Sequence, residues 1–256
     1  MIEALRAEWI KLRTVSGTAW LMTGTVALTV SGSAATAAAT HVSSRGDLDP
    51  TKLTLTGVYL GQAVIAVLAV LAISEEYATG VIRISLAAMP RRLVLLGAKA
   101  ANLAALAAAA GTLAVVGCLL AGRLLLPASG LDPAHGYPLV SISHSPTLRA
   151  AAGSVCYLVL IALLALGAAT AIRDTAVSIG TVLGLLYLPP ILAQAVADPM
   201  RRHLEQIAPM TAGLAIQATT NLHSQPIAPW AGLGVLTAWA TASLLIAALL
   251  LRLRDA

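Results

Sequence analysis

Twenty-three uncharged residues separate Lys99 from Arg123, another 23 separate Arg149 from Arg173, and a further 23 lie between Asp174 and Asp198. A helix rising about 1.5 Å per residue needs roughly 20 apolar residues to cross the hydrocarbon of a bilayer. Each run meets that length and is built mainly of Leu, Ala, Val and Ile. Two further uncharged runs, Leu53 to Ser74 and Ser224 to Leu251, are apolar enough to insert, and Thr14 to Thr40, rich in Thr, Ser, Gly and Ala, makes a sixth. The predicted fold class is therefore all-α, a polytopic membrane protein with spans near residues 17–39, 55–74, 100–122, 150–172, 175–197 and 228–251. Composition agrees: 58% of residues are hydrophobic and 11% charged, against roughly 45–50% and about 25% in soluble domains. One transmembrane domain covers residues 1–256.

With the N-terminus inside, ten Lys and Arg fall on the cytoplasmic side and six outside. Because the topology rule counts Lys and Arg rather than net charge, both termini are expected in the cytoplasm, in a protein of the cytoplasmic membrane. The excess positive charge then belongs to topology and anionic headgroups, and no nucleic-acid partner is expected. The N-terminus carries no short apolar core with a small-residue cleavage site, so the first span is expected to stay. Leu5, Trp9 and Leu12 recur at helical spacing among Glu3, Arg6, Glu8, Lys11 and Arg13, which predicts an amphipathic helix lying along the lipid bilayer surface. The alternative is an ordinary charged flank. Cys118 and Cys156 both fall inside predicted spans and read as small packing residues.

Between the spans, residues 41–52 are polar and turn-prone, and four prolines between 124 and 148 exclude a continuous helix there. Arg173-Asp174 is the only charged link between spans four and five, which predicts a tight antiparallel hairpin. Pro189-Pro190 in the fifth run predicts a break in that helix. Residues 198–230 are too polar to span and too apolar for a plain linker; Leu204, Ile207, Leu214 and Ile216 predict short helices at the outer surface or dipping partly in.

Several chemistries lack their residues. None of the uncharged runs contains Asp, Glu, Lys or Arg, the groups with which an ion-coupled carrier binds its driving ion. The strongest polar groups in them are Gln62, Asn102 and Gln194, for which hydrogen bonding between helices is the expected role. None of the three lysines sits in a Gly-Lys-Ser/Thr phosphate loop, and there is no HExxH or GxSxG pattern. The five histidines, at 41, 135, 144, 203 and 223, have no ligand-like spacing to one another or to Cys. No catalytic residue, metal ligand or cofactor is assigned, and the chain is not expected to be an enzyme.

One stretch concentrates charge: "EEYATGVIRISLAAMPRR", residues 75–92. Ile73 is expected to end the second span, Gly80 can stop a helix, and Pro90 limits the intervening residues to a short helix across the inner surface. Glu75 and Glu76 are adjacent and do not share a helix face, which argues against a catalytic carboxylate pair; pairing with Arg83, Arg91 or Arg92 is expected instead. A bare topology-setting loop would need only Arg91 and Arg92.

This stretch, continued to Lys99, resembles the Glu-Tyr-x-Thr-Gly-x-Ile-Arg segment with Pro-Arg-Arg and a following Lys in permease subunits of type-2 ABC exporters, particularly the small six-span permeases of actinobacteria. "LRAEWIKLRTV", "AIRDTA" and "IAPMTAGLAIQA" are similar to other parts of those proteins, so the resemblance covers nearly the whole chain. It implies a cytoplasmic coupling segment contacting a separate ABC ATP-binding subunit, carried here by Glu76, Tyr77, Thr79, Gly80, Ile82, Arg83, Pro90, Arg91 and Arg92. It further implies a second permease subunit, identical or different. Glu75 is an acid the pattern does not require, and Met89 stands where a β-branched residue is common. With no charge in the spans, an apolar or amphipathic cargo is expected. Two other functions are compatible with the same residues: a non-transporting scaffold or immunity protein, and an ATP-independent channel or carrier.

Overall fold

The computed structural model describes residues 6, 9, 16–40, 48–78, 92–131, 141 and 144–253. Six long helices dominate: α1 (Ser16–Ala39), α2 (Val58–Ala78), α3 (Arg92–Leu125), α4 (Ser145–Ile172), α5 (Thr175–Ala195) and α6 (Pro229–Leu253). All six are long and apolar enough to cross a membrane. Among the described residues there is no strand.

α4 is the hub, packing against α2, α3, α5 and α6, while α1 lies against α2 and α3. Its apolar window is 56% buried, against 22% for α1, α5 and α6. Tyr157, Leu158, Ile161, Leu164 and Leu166 on α4 are fully enclosed. The peripheral helices instead turn Trp20, Leu188, Leu192, Leu245 and Leu249 outward, as helices bathed in lipid do. Lipid is as apolar as a leucine, so helices in a bilayer associate through close packing and polar contacts rather than through the hydrophobic effect. The α4–α6 crossing shows both. A Cβ on Gly167 would stand 2.6 Å from the backbone carbon of Ser243, and Ser243 Oγ donates to the Leu164 carbonyl at 2.9 Å.

The hairpin between α4 and α5 has the expected two-residue link. Arg173 closes α4 in the left-handed region at φ 66°, its N–H returning to the Ala169 carbonyl. Asp174 then caps α5 by accepting from the Val177 N–H at 2.8 Å. This reversal holds α5 against α4 and α2.

One expectation is corrected. α5 does not break at Pro189-Pro190 but continues as helix to Ala195. The pair removes two backbone donors, yet proline's fixed φ is itself helical, and the neighbouring Leu188, Ile191 and Leu192 are exposed. Past Ile73, α2 runs on as helix to Ala78 and carries Glu75, Glu76 and Tyr77 on its last turns. α3 begins at Arg92, so Lys99 lies about two turns inside it.

The 198–228 segment is divided as expected. Met200–Ile207 is an exposed helix, with Arg201 paired to Glu205 at 2.9 Å. Pro209–Leu214 and Ala215–Gln217 are buried, packed between α4 and α6. Gly232 on α6 makes room for this wedge: a Cβ there would stand 1.9 Å from the Ala212 carbonyl oxygen. Of the cysteines, Cys118 is buried and accepts from Ser33 Oγ at 3.2 Å, while Cys156 is exposed on α4.

Candidate functional site

The charged stretch singled out by the sequence begins at the C-terminal end of α2, next to the first turns of α3 and the α4–α5 hairpin. Glu76 sits in the last turn of α2 with its side chain turned into the bundle; its neighbour Glu75 is exposed. Lys99 Nζ reaches Glu76 Oε1 at 3.1 Å and the Ala72 carbonyl at 3.1 Å. The two side chains are only 2% (Lys99) and 10% (Glu76) exposed. Adjacent acids point about 100° apart on a helix, so one can face water while the next faces the bundle.

Both residues lie just outside the uncharged runs, so α2 and α3 each carry one member of a buried ion pair where the run ends. Lys99 is a partner of Glu76 that the sequence did not offer; the side chains of the expected partners Arg83, Arg91 and Arg92 lie outside the described residues. A charge in such surroundings is costly alone and persists when paired and hydrogen-bonded.

Tyr77, the next residue, faces the hairpin. The guanidinium carbon of Arg173 stands 5.4 Å from the centroid of its ring, within the range of a cation–π contact. The sequence pointed to both residues separately, Tyr77 in the charged stretch and Arg173 as the hairpin link, but nothing in their spacing of nearly a hundred positions joined them.

Thr79, Gly80, Ile82, Arg83, Pro90 and Arg91 lie outside the described residues, and Arg92 opens α3 with its side chain likewise outside them. Leu5 and Leu12 are also outside them; Arg6 and Trp9 are helical and exposed.

A second buried polar group lies nearer the start of α2. Tyr157 on α4 donates to Gln62 Oε1, Gln62 Nε2 contacts Met210 Sδ of the wedge at 3.2 Å, and Tyr187 on α5 donates to the Tyr59 carbonyl. Gln62 and Tyr157 are fully buried. Hydrogen bonding between helices, expected of Gln62, is what it does. Gln194, given the same role, is exposed on α5. The tyrosines were missed, although a signal existed: the chain has five, and four of them interrupt otherwise aliphatic helices.

On the exposed side of the wedge, Asp198, Arg201, Arg202, Glu205, Gln206 and His223 help line a polar cavity of about 380 Å³. Its charges are of both signs. Glu205 hydrogen-bonds Arg201 and holds that guanidinium above its ordinary pKa. Among the described residues, no three His, Cys, Asp or Glu gather as metal ligands would.

An inward-facing ion pair, a polar tyrosine network and six apolar helices define an all-α, multi-pass membrane protein. Compared with protein-family models and with curated proteins, the chain matches none of them.

Proposed function

We propose that the chain is the membrane-spanning permease subunit of an ATP-binding cassette exporter of the cytoplasmic membrane, with both termini inside. A separate subunit hydrolyses ATP, and a second permease subunit, identical or different, completes the pathway for an apolar or amphipathic cargo.

The observation that carries this reading is the Glu76–Lys99 pair. It joins the helices on either side of residues 79–91, the segment that resembles a coupling element, so a push delivered there reaches two spans at once. The apolar interior supports the cargo class: apart from this ion pair, the polar groups enclosed among the spans are uncharged, and nothing there would select an ion.

Purification of the chain from its native host tests the reading. An ATP-binding subunit is expected to accompany it; its absence, or transport by the purified chain without ATP, overturns the exporter in favour of a scaffold or a channel. Arg83→Glu and Gly80→Pro are each expected to reduce partner binding and ATPase stimulation, and survival of both functions removes residues 79–91 as the coupler. Single cysteines at Ser44 and Ser85 check orientation: Ser44 should label from outside, and labelling of Ser85 from outside inverts the topology.

A further inference from the structure

The Met200–Ile207 helix follows α5 at the end of the bundle away from the α4–α5 hairpin, and it packs against both α5 and α6. Its residues divide at helical spacing: Met200, Leu204 and Ile207 fall on one face, and Arg201, Arg202, Glu205 and Gln206 on the other. The apolar face is partly open. Met200 and Ile207 are exposed, as are Leu192 on α5 and Val196 just after it. Trp239 on α6 donates its indole N–H to the Ile207 carbonyl at 2.9 Å, which sets an exposed ring beside this apolar strip. An amphipathic helix with a neighbouring tryptophan belongs at the boundary between hydrocarbon and headgroups.

The charged face of the helix forms one wall of the 380 Å³ cavity, and the turn at residues 223–226 forms the other. That turn is held in place by Gln206 Nε2, which donates to the Pro226 carbonyl at 2.8 Å. Arg201, Arg202, Asp198 and Glu205 all line the cavity, so two guanidiniums balance two carboxylates. They do not exhaust one another. Arg201 is bonded to Glu205 at 2.9 Å, but Arg202 stands 4.0 Å from Asp198, beyond hydrogen-bond range. Arg202 can still donate and Asp198 can still accept, side by side.

This arrangement discriminates among headgroups. A plain anion would meet two carboxylates along with the guanidiniums. A zwitterion with a phosphate and a primary ammonium suits both signs, the phosphate accepting from Arg202 and the ammonium donating to Asp198. A quaternary ammonium has no N–H to donate and is held instead by aromatic faces; among the described residues that line the cavity, none is Trp or Tyr.

We propose that the cavity and the adjoining strip bind one phospholipid whose headgroup carries a phosphate and a primary ammonium, with its acyl chains along Leu192, Val196 and Ile207. The headgroup chemistry alone would also fit a small free zwitterion. The exposed apolar strip beside the cavity assigns it to a lipid, and this holds whether or not the chain is an exporter subunit.

The test titrates the full chain, purified and delipidated in detergent, with equal amounts of dioleoyl phosphatidylethanolamine, phosphatidylcholine and phosphatidylglycerol, and reads the retained lipid by native mass spectrometry. The ethanolamine lipid is expected to be preferred about fivefold over either competitor, the factor that one exposed charge pair supplies. Arg202→Gln and Asp198→Asn are each expected to abolish the preference; both side chains are largely exposed, so neither exchange disturbs packing. Arg252→Gln, at an exposed position on the last turn of α6, is expected to keep it. Equal retention of the three lipids by the unmodified chain, or an unchanged preference in either cavity variant, overturns the proposal. Stronger retention of phosphatidylglycerol overturns it in favour of a plain anion site. Soluble phosphoethanolamine is expected to leave the bound lipid in place, and displacement of the lipid by it overturns the assignment to a lipid in favour of a free zwitterion.

Discussion

Replacing Gln62 by Leu and Tyr157 by Phe, singly and together, tests the polar network at the centre of the bundle. Both substitutions nearly preserve volume, so the wedge and α4 keep their packing: the Tyr157 ring still fills the space left by Gly213, where a Cβ would stand 2.7 Å from it. Tyr157→Phe strands Gln62 Oε1, and Gln62→Leu strands the Tyr157 hydroxyl, both in fully buried surroundings. An orphaned buried polar group costs about 1–3 kcal/mol. Gln62→Leu also removes the donor to Met210 Sδ and is expected to be the worse of the two. Hydrogen bonds between membrane helices average about 0.6 kcal/mol in coupling, with a maximum near 1.7. Full enclosure places this pair toward the upper end, at about 1–1.5 kcal/mol. At about 2–4 °C per kcal/mol for a chain of this size, each single variant should melt about 2–6 °C lower in detergent, monitored by near-ultraviolet circular dichroism. The double variant should melt above Gln62→Leu, because removing both partners leaves nothing stranded. Additive losses, with the double variant falling by the sum of the singles within about 0.5 kcal/mol, would refute the argument.

Three other outcomes are expected from contacts elsewhere in the bundle. Lys99→Met alone is expected to cost about 3–5 kcal/mol in thermal melts, because the Glu76 carboxylate is left buried, and adding Glu76→Leu should recover most of that loss. Arg173→Gly should be more stable than Arg173→Ala by about 1 kcal/mol, since both lose the contact with Tyr77 but only glycine accepts φ 66° without strain; equal melting temperatures would remove the conformational argument. Asp49 accepts from the Thr219 and Thr220 N–H groups and from Thr219 Oγ1 at 2.6 Å. Asp49→Ala is therefore expected to loosen the 218–228 loop by about 1–2 kcal/mol and to expose it to limited proteolysis, with an unchanged cleavage pattern as the contrary result.

How much of this is legible in the sequence differs from residue to residue. The α4–α5 hairpin can be read from two adjacent charges, since a two-residue polar link between long apolar runs leaves the chain no other course than to turn back. The wedge is half legible: Leu214 and Ile216 mark residues that favour burial, but its seat depends on Gly153, Gly213 and Gly232 on three different elements. Pro189-Pro190 misleads because a local rule about lost donors is applied where packing demands little. Of the candidate site, Glu76 and Tyr77 are identifiable as residues but not as contacts. Lys99 reads as a boundary charge, because counting uncharged residues ends a span at the first ionisable one and cannot see that its partner lies 23 positions earlier on the facing helix.

By itself, then, the sequence determined the membrane, the six helices and the order in which they come along the chain, because the hydrocarbon core imposes a length and a polarity that can be counted residue by residue. Only the tertiary structure decided that α4 is the hub, that Tyr157 meets Gln62 and that Lys99 closes on Glu76. Those are pairings between helices, and helices in lipid choose partners through close fit and the satisfaction of buried polar groups, neither of which is written in the period of a single helix.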